Sequence, residues 1–73
     1  MPEMPDPEPI HIRVSVENHV GWLEFDRGPV NALDWVMVRQ VIRALDDLET
    51  DHDVRVICIA SALDRYFSAG ADL

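Results

Sequence analysis

A β-β-α-β chain order, and so an α/β fold, is what the 73 residues predict. Three patterns carry that reading. Apolar and polar residues alternate over 10–16, the period of a strand with one buried face, and VGWLEF (20–25) follows a polar turn as a second strand. From residue 34 or 35 to about 50 the apolar spacing lengthens to that of a helix. Residues 54–60, VRVICIA, form an almost unbroken β-branched run. A strand buried on both faces reads this way, as parallel strands do.

Taken in order, residues 1–9 hold four of the five prolines and read as a disordered, acidic, Pro-rich tail. One folded portion is expected from residue 10 to residue 73. In IHIRVSV (10–16), Ile10, Ile12, Val14 and Val16 share the face predicted to be buried. ENH (17–19) is a polar turn. VGWLEF (20–25) returns as the second arm of a hairpin, with Val20, Trp22 and Glu24 on one face and Leu23 and Phe25 on the other. Gly28 and Pro29 break the pattern, so DRGPVNALD (26–34) is a loop. Asp34 is suited to cap the helix and to complement its dipole. The predicted apolar face of that helix is Val38, Val41, Ile42, Leu45 and Leu48. An acidic exit, DLETDHD, leads into the strand at 54–60. The loop SALDRY and the small-residue segment FSAGADL (67–73) follow.

Composition narrows the function classes. With 48% hydrophobic and 27% charged residues the chain is that of a folded protein. It is short for a lone domain, since small chains bury a small share of their surface. Cys58 is the single cysteine, so no internal disulfide is available, and no Cys/His cluster has metal-ligand spacing. An incomplete unit is therefore expected: part of a larger domain, or a piece whose core is completed elsewhere. A net charge of −8, with six Arg and no Lys, argues against nucleic-acid binding. No apolar run approaches the ~20 residues of a membrane span. The N-terminus lacks the basic and apolar regions of a signal peptide, and a soluble cytoplasmic protein is the expectation.

Reactive side chains offer little. His11, His19 and His52 fall on a polar strand face, in a turn and after a helix, where histidines are usually solvated. Glu24 and Asp26 flank a strand end, either as a carboxylate pair or as plain loop solvation. Asp46, Asp47, Glu49, Asp51 and Asp53 read as a solvated helix face and exit turn, without the glycine and spacing of a calcium loop. Cys58, between Ile57 and Ile59, reads as an inert core residue.

Two loops remain, DRGPVNALD and FSAGADL, each following a strand. Small residues there admit unusual dihedrals and let a ligand approach backbone amides without a side chain in the way. Amides at the start of a helix are unpaired and favour negative charge. Aimed at a carbonyl that becomes an oxyanion, they stabilise a transition state. The plainer alternative is a tight strand-to-helix turn with no ligand.

FSAGADL, about forty residues after PVNALD with the strand VRVICI between them, resembles the enoyl-CoA hydratase/isomerase (crotonase) family. The resemblance runs from Ile10 to Leu73. It implies a spiral of ββα units, of which this chain is the N-terminal β-β-α-β part, and assembly as a trimer or dimer of trimers. It implies an acyl-CoA thioester as substrate, with no cofactor beyond the coenzyme A of that substrate. By match to the motif, the Ala71 amide is one of two oxyanion-hole donors that stabilise an enolate-like intermediate. Ala69, Asp72 and Leu73 fall at positions that line the CoA site. So do Val30 and, across a loop one residue shorter than in many relatives, Gly28 or Pro29. Arg27 alone can supply the basic residue that many members carry nearby. SALDRY replaces a segment that is often glycine-containing and implies a differently shaped loop outside the hole. The second donor and the acid–base carboxylates lie on later segments of the family, so this stretch alone is expected to be inactive. The complete protein is expected to be a hydratase or isomerase of fatty acid metabolism. The competing reading is a non-catalytic CoA-binding or assembly piece.

Overall fold

The computed structural model describes residues 8–71. Its elements run β1 (Ile12–Glu17), β2 (Val20–Phe25), α1 (Trp35–Thr50) and β3 (Val56–Ser61). The strands form one sheet in the order β1-β2-β3. β1 and β2 are antiparallel, joined through the pair Glu17↔Val20 by a two-residue turn. Both turn residues, Asn18 (φ 51) and His19 (φ 66), are left-handed, the backbone that matches strand twist in such short hairpins. His19 is held there by its Nδ1–H, which donates to the Asp53 carbonyl at 2.9 Å.

β3 lies parallel to β2, with Leu23↔Ile59 and Phe25↔Ser61 as partners. The chain crosses between them through α1. Asp34 caps α1 as predicted: its Oδ1 accepts from the Met37 amide at 2.8 Å. The core joins Ile12, Leu23 and Phe25 of the sheet to Met37, Ala44 and Leu48 of the helix. Leu33, Val41, Leu45, Val54 and Ile57 pack against it, half-buried.

Three burial expectations are corrected. Ile10, Val14 and Val16 share a face with Ile12, but only Ile12 is covered. The flank of α1 beside β1 is polar and does not close over it. A groove of about 410 Å³ remains between Ile10, Ile12 and Val14 on one side and Arg39, Arg43 and Asp47 on the other. The apolar face of α1 is centred on Met37, Val41, Ala44 and Leu48, and Ile42 is 62% exposed. The cause is Gly21: a Cβ there would stand 2.9 Å from Leu48 Cδ2, so its bare backbone admits Leu48 to the sheet and fixes the helix's rotation. β3 is not buried on both faces either. Val56 and Ile59 are exposed and Cys58 is half-buried rather than in the core, because α1 packs over β1 and β2 and, among the described residues, no element fully covers the faces of β3.

The boundaries shift slightly. β1 begins at Ile12 and β3 at Val56, two residues later than the apolar runs suggest. Most of the predicted tail, residues 1–7, lies outside the described residues. Glu8 pairs with Arg39 at 2.6 Å, and Gln40 Nε2 donates to the Pro9 carbonyl at 2.6 Å. No described helix is long and apolar enough to cross a membrane.

Candidate functional site

Because β2 and β3 are parallel neighbours, their C-terminal ends emerge side by side. Open α/β sheets place their ligand crevices at such ends. The loops leaving those two ends are the two singled out by sequence, and they are laced together. The Ala69 amide donates to the Val30 carbonyl at 2.9 Å, and the Leu33 amide to the Gly70 carbonyl at 2.8 Å. Leu33 and Ala71 form an isolated parallel bridge. Ser68 Oγ donates to the Asn31 carbonyl at 2.8 Å and accepts from the Gly70 amide at 3.0 Å. The Phe67 ring packs on core Phe25, with centroids 5.3 Å apart.

At the centre is Asn31, fully buried. Its Nδ2 donates to Ser61 Oγ at 2.8 Å and to the Phe67 carbonyl at 2.9 Å. Its Oδ1 accepts from the Arg27 amide at 2.7 Å, and its own amide donates to the Arg27 carbonyl at 2.8 Å. Its backbone is left-handed (φ 53), which asparagine tolerates better than most residues. A buried amide left unpaired is costly, so each of these bonds selects one arrangement of the loops.

The basic residue of the loop faces inward. Arg27 Nη1 donates to the Ala32 carbonyl at 2.6 Å, and Nη2 lies 3.3 Å from the Asp34 carboxylate. The Met37 amide, and then this guanidinium, hold the Asp34 carboxyl below the usual carboxylate range, against the opposing effect of partial burial.

Ala71 ends the described chain at the rim of the site, exposed. In a parallel ladder a residue bonds to the neighbours of its partner, and Leu33 donates to Gly70, not to Ala71. Among the described residues no hydrogen bond uses the Ala71 N–H. Gly70 before it has φ +92, a conformation that favours glycine.

Of the residues named from sequence, the structure joins Val30 to Ala69 and sets Ala71 beside Leu33. Gly28 sits on the exposed turn at 28–30, where an added side chain would meet open space. Asp72 and Leu73 lie outside the described residues. Asp26 is engaged by Arg13, whose Nη2 is 2.7 Å and Nε 2.8 Å from Oδ2, so the strand end holds an ion pair rather than a carboxylate dyad. Among the described residues no group of three or more His, Cys, Asp or Glu is placed to hold a metal ion. Sequence reading missed Asn31, Ser61 and Ser68. The available signal was a lone Asn between Val30 and Ala32, a polar side chain in an otherwise apolar stretch.

A family model described as enoyl-CoA hydratase/isomerase matches residues 15–73. Among solved structures, the chain is similar to an enoyl-CoA hydratase from Geobacillus kaustophilus (TM-score 0.82, 26% identity, 90% of this chain and 25% of that one). It is similar to an enoyl-CoA hydratase/isomerase from Mycobacterium paratuberculosis (TM-score 0.82, 26% identity, 88% and 25%). It is also similar to an enoyl-CoA hydratase from Mycobacterium tuberculosis (TM-score 0.79, 30% identity, 86% and 28%). The chain therefore spans about a quarter of the length of these structures. No protein of curated function matches it significantly in sequence.

Proposed function

This chain belongs to the enoyl-CoA hydratase/isomerase family, and from that premise we propose that its laced loops form one wall of an acyl-CoA site. In this reading the Ala71 N–H donates to the thioester carbonyl. The observation behind it is the Ala71 amide, on an exposed residue, used by no hydrogen bond among the described residues and carried on a segment bonded at both Ala69 and Gly70. An amide held this way needs little reorganisation when a carbonyl oxygen docks on it. Its bond strengthens as that oxygen takes on negative charge, so it favours an enolate-like intermediate over the bound thioester. Gly28, Val30 and Ala69 border the ligand largely through backbone, and the family motif assigns Asp72 and Leu73 to the same set of coenzyme contacts. Arg27, occupied by Ala32 and Asp34, holds the loop rather than the phosphates of the coenzyme.

Hydration or isomerisation also needs a second donor and a carboxylate acid–base. The family carries these on later segments, so the activity is assigned to the full-length protein, acting as a trimer or dimer of trimers. Coenzyme A enters as part of the substrate. The test is hydration of crotonyl-CoA by the full-length protein and its Ala71 variants. Ala71→Pro, which deletes the donor, is expected to lower the rate by ~10²–10³, while Ala71→Gly keeps the N–H and most of the rate. Unchanged turnover in Ala71→Pro sinks the donor assignment. Binding of acyl-CoA without turnover in the wild type favours the non-catalytic reading.

A further inference from the structure

Among the described residues Asn31 is the one buried polar residue, and its carboxamide ties its own loop to two segments thirty or more residues away. Through Nδ2 it reaches the end of β3 at Ser61 and the 67–71 segment at Phe67. Through Oδ1 it fixes the start of its own loop at Arg27. Its carbonyl then takes the Ser68 hydroxyl, which in turn holds the Gly70 amide. The two backbone bonds that seat 67–71, Ala69 to Val30 and Leu33 to Gly70, lie on either side of this hub.

We infer that Asn31 is a positioning residue that sets the height of residues 67–71 over the loop after β2, and through them the aim of the Ala71 N–H. The surroundings specify the residue. Two close acceptors, Ser61 Oγ and the Phe67 carbonyl, and a longer third, the Phe25 carbonyl at 3.5 Å, surround Nδ2, while the Arg27 amide donates to Oδ1. Aspartate has no donor, serine has one and leucine has none, whereas the amide of asparagine supplies two donors and an acceptor. The left-handed backbone adds a second demand that asparagine satisfies. The ligand half of the inference rests on the acyl-CoA reading; the mechanical half does not.

The experiment is Asn31→Asp in the full-length protein, a change of similar shape that removes both donors. Two readouts are taken. Hydrogen exchange is expected to quicken in segments 30–33 and 67–71 and to stay unchanged in α1. Affinity for acetoacetyl-CoA, which presents a thioester carbonyl, is expected to fall ~10-fold or more, while affinity for free coenzyme A, which has none, barely changes. Unchanged exchange in those two segments overturns the inference. An equal loss for both ligands overturns it too, since a merely structural residue would weaken both alike. A wild type that binds neither ligand sinks the acyl-CoA reading, and the exchange result still decides the positioning claim. If Asn31→Asp does not fold, Ser68→Ala, which removes the Asn31–Ser68–Gly70 link, must show the same split, and its absence there is equally decisive.

Discussion

Gly70 and Asp34 govern the two ends of the site by different means. Gly70 holds φ +92 in open space, so a side chain there is penalised by backbone conformation and not by a clash. Gly70→Ala is expected to cost about 1–2 kcal/mol, read as a lower urea midpoint and faster exchange in 67–71. Gly28→Ala, equally uncrowded and without a left-handed φ, is expected to stay within about 0.5 kcal/mol. Equal costs at the two glycines would contradict this account of Gly70. Asp34 acts through charge. Its pKa is lower folded than unfolded, through the Met37 amide and the Arg27 guanidinium. Its stabilisation is therefore complete above about pH 4 and is lost as pH falls through the folded value. The urea midpoint of the wild type is expected to drop more steeply below about pH 4 than that of Asp34→Asn, which caps without titrating. Parallel curves would remove Asp34 from the acid response.

Among the elements, the contact of α1 with β2 turns on Gly21 and Leu48. Gly21→Ala is expected to destabilise by about 1–3 kcal/mol, because its Cβ would overlap Leu48 and crowd Val54. In a Leu48→Ala background that cost is expected to shrink, and a double-mutant cycle measures the coupling. Additive costs would mean that the helix shifts instead. The same contact explains what could be read in advance. Element order and the Asp34 cap follow from local periodicity and capping chemistry, and both are legible in the sequence; the pairing of β3 with β2 is not, because the apolar run at 54–60 names no partner strand. The rotation of α1 is not, since it depends on Gly21, on a strand well before the helix, and on Ala44, which carries little hydrophobic signal. The loop pairing was suggested by small residues at matched strand ends. Asn31 was illegible because its partners, Ser61, Phe67 and Ser68, lie at least thirty residues away.

For the whole molecule, the same sheet that organises the site leaves much apolar surface open. Val14, Val16 and Trp22 of the hairpin and Val56 and Ile59 of β3 are exposed, and so is Ile42 of α1. Residues 1–73 expressed alone are expected to self-associate, to bind an apolar dye and to unfold without a sharp transition. A cooperative thermal transition of a monomer would contradict that. For the proposed acyl-CoA site, in a protein that carries the family's later segments, the central claim is that a backbone amide, not a side chain, meets the thioester. Isotope-edited infrared spectroscopy of a carbonyl-labelled acyl-CoA tests it most directly. The C=O band is expected to move to lower wavenumber on binding to the wild type and to Ala71→Gly, and to move less on binding to Ala71→Pro. A band that binds in the same position for all three, or that stays where it lies in water, would contradict the role given to Ala71.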